Sequence, residues 1–147
     1  MKKALLCVSF GTSVPEARGS IEAVEAALKR TAPDRRLARA FTSTIIRRLL
    51  SARGEEIPGV SGALEQLAEQ GVEDVLVQPT HILFGNEYEK ICREMAPWKD
   101  RFAALTLGPP LLGGTDDLRQ LAQVLSAAWP AQEDEALVLF GHGTCLL

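Results

Sequence analysis

The chain has 147 residues, 46% of them apolar, and a formal net charge of −3. That length suits one domain with an ordinary core, and the small net charge offers nothing to a polyanion, so nucleic-acid binding is not expected. No apolar run approaches the roughly 20 residues needed to cross a bilayer. Met1-Lys2-Lys3 leads into an apolar run without a small-residue cleavage site, which reads as a strand and not a signal peptide. Cys7, Cys92 and Cys145 are widely separated and lack metal-type spacing. A soluble, cytoplasmic protein with reduced thiols is the expectation.

Apolar strand-like runs alternate with helical patterns along the whole chain, the signature of stacked βαβ units. The first strand is Ala4–Val8. Ser13-Val14-Pro15-Glu16 then predicts a capping box, followed by a helix with Ala17, Ile21, Val24 and Leu28 on its inner face and Pro33 beyond its end. Arg36 to Phe41 reads as the second strand, and Ile45, Ile46, Leu49 and Leu50 as a short helix. Leu64, Leu67 and Ala68 form the next helical stripe, closed by Gly71. Val75-Leu76-Val77 is the third strand; its long exit runs from Gln78 to Asn86 before Tyr88, Ile91, Cys92 and Met95 resume a helical face. Leu105-Thr106-Leu107 is the fourth strand, and Thr115 is expected to cap a last helix with Leu118, Leu121, Leu125 and Ala128 inward.

Ala136 to Phe140 reads as a fifth strand, and it repeats the start of the chain. Ala4-Leu5-Leu6-Cys7-Val8-Ser9-Phe10-Gly11-Thr12 aligns without a gap on Ala136-Leu137-Val138-Leu139-Phe140-Gly141-His142-Gly143-Thr144. Such self-similarity suggests a duplicated unit. The expected organisation is a half-domain over residues 1–133 and, over 134–147, the first strand of a second half that the chain does not complete. The predicted fold is three-layer α/β, a mostly parallel sheet flanked by helices.

Ligands of open α/β sheets bind beyond the carboxyl ends of the strands. The exits are Ser9 to Ser13, Thr42 to Thr44, Thr80 to Glu89, Gly108 to Gly114 and Gly141 to Thr144, and both histidines of the chain lie among them. The glycines flanking His142 leave its imidazole unshielded, as a metal ligand or proton acceptor requires; a turn histidine bonded to backbone is the alternative. His81 precedes apolar Ile82-Leu83-Phe84 and reads first as a satisfied histidine beneath a loop. Glu87 and Glu89 suit a helix start whatever else they do. Ser9, Phe10, Gly11 and Thr12 form a turn whose backbone N–H groups can face an anion. Dinucleotide and triphosphate motifs are absent, as is a nucleophile elbow. Lys29, Arg30, Arg35, Arg36 and Arg39 are expected to be a solvated surface, whereas Arg47, Arg48 and Arg53 sit nearer a strand exit and suit pairing with carboxylates.

Five segments in order carry a resemblance: Leu5 to Thr12, Arg39-Ala40-Phe41-Thr42-Ser43, His81 to Ile91, Leu105-Thr106-Leu107-Gly108, and Gly141-His142-Gly143. Together they resemble the anaerobic sirohydrochlorin cobaltochelatases, the CbiK-type branch of the class II chelatases, which have two similar α/β halves. The resemblance covers the first half and the opening strand of the second. It implies a lyase that inserts Co²⁺ into sirohydrochlorin on the way to cobalamin, without ATP or an organic cofactor, in a cleft between halves. It implies that His142 ligates the metal or accepts pyrrole protons, and that Glu87 is catalytic. Ser9, Phe10, Gly11, Thr12, His81, Ile82 and Glu89 are then substrate-binding positions. Sirohydrochlorin and Co²⁺ are the implied partners, with a second half-domain or a homo-oligomer completing the cleft. The alternative is a non-catalytic half-domain that binds a tetrapyrrole or metal.

Overall fold

A computed structural model describes residues 1–141 and 143. Four strands form one parallel sheet: β1 (Lys3–Ser9), β2 (Arg36–Phe41), β3 (Asp74–Pro79) and β4 (Ala104–Leu107), in the spatial order β2-β1-β3-β4. Register is fixed by pairs such as Leu6 with Ala38 and Leu6 with Val77. All four strands expected up to residue 107 are present, each within two residues of its expected ends. The helices are α1 (Pro15–Thr31), α2 (Thr44–Ser51), α3 (Val60–Glu69), α4 (Asn86–Met95) and α5 (Thr115–Ala128), with a 3₁₀ turn at Ala96–Arg101.

Period-two alternation decides which residues form the core. Ala4, Leu6 and Val8 of β1 and Val75 and Val77 of β3 face α3 and α4, where they meet Val60, Leu64, Leu67, Ile91 and Met95 in one buried cluster. Burying each of these larger side chains is worth about 1.5–3 kcal/mol. Gly71, at φ +73, ends α3 as the sequence predicted.

The opposite face is built differently. α1 covers its β1–β2 side, and the one fully buried residue of α1 is Glu25, not its apolar stripe. Arg39 of β2 meets Glu25 with a two-pronged ion pair at 2.7 and 2.5 Å. The expected inward stripe fares otherwise: Ala17 and Val24 are exposed, while Ile21, Val24 and Leu28 line an open groove of 630 Å³ with Gln78, Pro109 and Leu111. The basic cluster is only in part a solvated surface, since Arg30 and Arg36 are exposed and the other three are paired. Arg39 holds Glu25, Arg35 holds Asp74, and Lys29 donates to the carbonyls of Pro33 and Arg35.

Three further local expectations are corrected. The N-cap of α1 is Val14 without a side-chain cap, and Thr12 Oγ1 accepts the Val14 N–H at 3.1 Å. Gly114 caps α5 in place of Thr115, and Asp117 takes the Gly113 N–H at 2.9 Å. The fifth strand is not formed: residues 136–140 carry no strand pairing, and Phe140 is fully exposed. An apolar run supplies strand propensity, but a strand exists only through a ladder partner.

By its internal contacts the chain divides into two units, Met1–Leu111 and Leu112–Leu147. The second contains α5. None of the α5 residues is fully buried, including Leu118, Leu121, Leu125 and Ala128 of the expected inner face. Among the described residues, no helix is long and apolar enough to cross a membrane.

Candidate functional site at the carboxyl edge

The order β2-β1-β3-β4 reverses direction between β1 and β3. The crevice of an open parallel sheet lies at such a switch point, outside the carboxyl ends of the two strands. Here the exits are Ser9–Thr12 from β1 and Thr80–Glu89 from β3. Thr80 N–H donates to Val8 O at 2.8 Å and Thr42 N–H to Ser9 O at 2.8 Å, so three exits leave side by side.

At the β1 exit, Gly11 has φ +96, and a Cβ placed there would come within 2.5 Å of the Phe41 ring. Only glycine lets the chain turn so tightly over buried Phe41. Phe10 is thrown outward, half exposed, while Ser9 is buried and its hydroxyl has no partner. Ser9, Phe10, Gly11, Ile21, Thr80, His81 and Ile82 together line a cavity of 360 Å³. Six of the expected substrate positions therefore meet: Ser9, Phe10, Gly11, His81 and Ile82 in the cavity wall, and Thr12 in the turn that frames it.

At the β3 exit, Ile82, Leu83 and Phe84 are exposed apolar side chains on a protein surface that faces the same edge. Phe84 stands edge-on to Tyr88 with ring centroids 4.9 Å apart, and Tyr88 donates its hydroxyl to Gly108 O at 3.1 Å, tying the loop to the β4 exit. Leu111 N–H donates to His81 O at 2.9 Å. The loop is thus held from both sides while its apolar tip stays free of the core.

His81 is half-buried, and neither ring nitrogen has a hydrogen-bond partner. Burial holds its pKa below the ordinary histidine value, against the opposing pull of the Glu87 carboxylate. One oxygen of Glu87 is itself buried without a partner. The expectation of a satisfied histidine beneath a loop is therefore corrected: the imidazole is beneath the loop but unsatisfied. Glu89 is exposed and lies 3.9 Å from Arg93 in a surface pair one turn along α4.

Two residues were not foreseen. Thr42, 1% exposed, has an unpartnered hydroxyl, and Lys90 donates to its carbonyl from α4. The i, i+3 spacing of Glu87 and Lys90 was the available signal that both share one helix face. Of the arginines expected to meet carboxylates, Arg53 donates to Ser13 O at 2.6 Å, Arg48 is exposed, and Arg47 packs against Gly59. Cys7 is no nucleophile: burial, then Glu25, pushes its thiol up to about 12 despite Arg39.

His142 lies outside the described residues, as does Thr144. No group of three or more His, Cys, Asp or Glu side chains able to hold a metal occurs among the described residues. What the edge offers by itself is a half-buried imidazole in the cavity wall, exposed apolar loop residues beside it and the Glu87 carboxylate at the start of α4.

The chain is 47% identical over 146 residues to the sirohydrochlorin cobaltochelatase of Salmonella typhimurium, covering 97% of this chain and 55% of that protein. It is 33% identical over 147 residues to the sirohydrochlorin cobaltochelatase CbiKC of Nitratidesulfovibrio vulgaris, covering 97% and 52%. The chain thus spans about half the length of these curated relatives. A CbiX protein of Marinobacter aquaeolei has a similar fold, with a TM-score of 0.60 at 13% identity over 87% of this chain and 94% of that one. The family described as cobalt chelatase (CbiK) matches residues 3–146, and the chain belongs to it.

Proposed function

We propose that the chain is one half of a sirohydrochlorin cobaltochelatase, which inserts Co²⁺ into sirohydrochlorin in cytoplasmic cobalamin synthesis. The observation that carries this reading is the meeting of Ser9, Phe10 and Gly11 with His81 and Ile82 around one cavity at the β1/β3 switch point, in a chain of this family. Inserting a divalent ion requires the macrocycle to lose its pyrrole N–H protons while the ion sheds water. Glu87 is the proton acceptor in this reading. His142 is the metal ligand, an imidazole being suited to Co²⁺. Ile82, Leu83 and Phe84 offer an apolar face to the ring, and backbone N–H groups of the Ser9–Thr12 turn meet its carboxylates. Glu89 has the weakest support, since it lies on the surface beside Arg93. The metal is a substrate, and neither ATP nor an organic cofactor takes part.

The repeat of Ala4–Thr12 at Ala136–Thr144 supports a boundary near residue 133, with residues 134–147 opening a second, similar half. A cleft completed by that half, or by a second copy of the chain, is part of the same proposal.

The test follows the absorbance of sirohydrochlorin with Co²⁺, using the chain alone and with a complementary second half supplied in trans. Accelerated metallation that is lost in His142→Ala and Glu87→Gln is the expected result. Metallation at the wild-type rate by both variants would overturn the assignment, and a chain that binds the tetrapyrrole without metallating it under either condition would favour a non-catalytic binding half-domain.

A further inference from the structure

Immediately beyond the Ser9–Thr12 turn lies a second cavity, of 270 Å³, lined by Ser13, Pro15, Arg18, Leu50, Arg53 and Glu55. The two cavities are neighbours along the chain, since Ser9, Phe10 and Gly11 line the first. They also share a support. The backbone at Gly11 turns over the buried Phe41 ring, and the Arg18 guanidinium stands 5.4 Å from the centre of the same ring. Two arginines and one carboxylate thus line a single small space, a net positive charge beside the candidate cleft.

The three charged groups are not held alike. Arg18 has a side chain 16% exposed, is stacked on Phe41, and gives both terminal nitrogens to Glu55 at 2.6 and 3.2 Å. Its place is fixed before any ligand arrives, so little rotamer freedom remains to be lost on binding. The Glu55 side chain is 46% exposed, and Arg18 is the one group that its carboxylate bonds among the described residues. An ion pair with one partner so open to water contributes little to stability, and exchanging Glu55 for another carboxylate costs little. Arg53 is exposed and donates one N–H to Ser13 O at 2.6 Å, which leaves the rest of its guanidinium fork without a partner among the described residues.

We propose that this cavity is a carboxylate subsite of the cleft, in which an acid side chain of the tetrapyrrole displaces Glu55 and is gripped by Arg18 and Arg53. The inference rests on the function proposed above and adds to it the residues that select a polycarboxylate. Glu55 is the resident stand-in: it pairs the Arg18 charge while the cleft is empty and turns to solvent when the substrate enters. A planar guanidinium receives a carboxylate on two parallel N–H donors, an arrangement that a neutral or esterified macrocycle cannot match. No covalent bond is made or broken; one ion pair replaces another, and Arg53 gains a partner. The Arg18 bond holds the Glu55 carboxyl below its ordinary pKa, so Glu55 stays ionised and competes with the incoming group as one carboxylate against another.

Three variants test the exchange, read by fluorescence titration of sirohydrochlorin with the chain in the absence of metal. Arg18→Gln and Arg53→Gln are each expected to weaken binding about tenfold. Glu55→Gln removes the competitor and is expected to tighten binding about threefold. The opposite signs are the signature, because a pair that served only the fold would make Arg18→Gln and Glu55→Gln act alike. Affinities that all stay within about twofold of the wild type, or weaker binding by Glu55→Gln, would overturn the proposal. Arg53→Gln alters an exposed side chain and keeps the test decisive should Arg18→Gln fold poorly. If the wild type binds no sirohydrochlorin, the proposed function fails, and acetate decides the cavity by itself. The Nε–Hε signals of Arg18 and Arg53, assigned by their loss in the two variants, should then shift with sodium acetate but not with sodium chloride, and further in Glu55→Gln. Equal responses to the two salts would overturn the subsite.

Discussion

The two ends of the sheet treat their polar side chains in opposite ways. At the amino end, Arg35 spans from the start of β2 to Asp74 at the start of β3, with bonds of 2.9 and 2.8 Å to both carboxylate oxygens and a further one to Ala4 O. Lys3 pairs with Asp34 at 3.0 Å, and Lys2 donates to Gln70 O. Charge there is matched by charge. At the carboxyl end, Ser9, Thr42, His81 and Glu87 have buried atoms with nothing to bond. One end pairs its charged side chains within the fold; the other leaves several buried side-chain atoms without a partner among the described residues.

Breaking the closed end should have the largest effect. Asp74→Ala strips the half-buried Arg35 guanidinium of its carboxylate, and a loss of about 3 kcal/mol in chemical denaturation is expected. The same pair makes stability depend on pH. Arg35 holds the Asp74 carboxyl below its ordinary value, so the contribution is complete above the unfolded carboxylate pKa of about 4 and is lost as pH falls through the lower folded value. Denaturation midpoints of the wild type should decline in that acid range, and those of Asp74→Ala should decline less.

Gly11→Ala comes next. The left-handed φ and the Phe41 ring together oppose a Cβ, and a loss of about 2 kcal/mol is expected, with the turn displaced from the cavity. A stability equal to the wild type would mean that the turn is not held as described.

The open end has its own pH signature. Because burial lowers the His81 pKa, the unfolded chain takes up a proton first as pH falls. Stability is therefore full above the unfolded histidine value of about 6.5 and declines as pH drops from there through the folded value. His81→Gln should remove this slope, measured by thermal unfolding between neutral and mildly acid pH. The smallest effect is expected for Thr42→Val, which deletes a buried hydroxyl that bonds nothing: a change of less than about 1 kcal/mol, toward greater stability. A large loss would show that this hydroxyl is satisfied after all.

Much of this architecture was legible in the residues. Apolar runs of strand length separated by helical stripes gave all four paired strands, and Gly71 gave the end of α3. The partners of charged residues were not legible. Arg39 and Glu25 lie 14 positions apart, and nothing in either neighbourhood says that β2 and α1 bring them face to face; a basic cluster read along the chain is a surface until the fold pairs it. The fifth strand failed for the same reason, since Ala136–Phe140 has the composition of a strand but a ladder is a property of two segments. For the site, the exits of β1 and β3 could be named from the pattern of a parallel sheet, whereas the unsatisfied state of His81 depends on what surrounds it in space. Lys90 was passed over because a lysine on a helix usually faces solvent.

The account stands on the carboxyl edge being the ligand-binding edge. Amide ¹H–¹⁵N spectra of the chain, recorded while sirohydrochlorin is added, test this directly. Shifts concentrated in Ser9–Thr12 and Thr80–Glu89, with Arg35, Asp74 and their neighbours unmoved, are predicted. Shifts centred on the amino end, or on the groove beside Val24 and Leu28 with both exits silent, would contradict it.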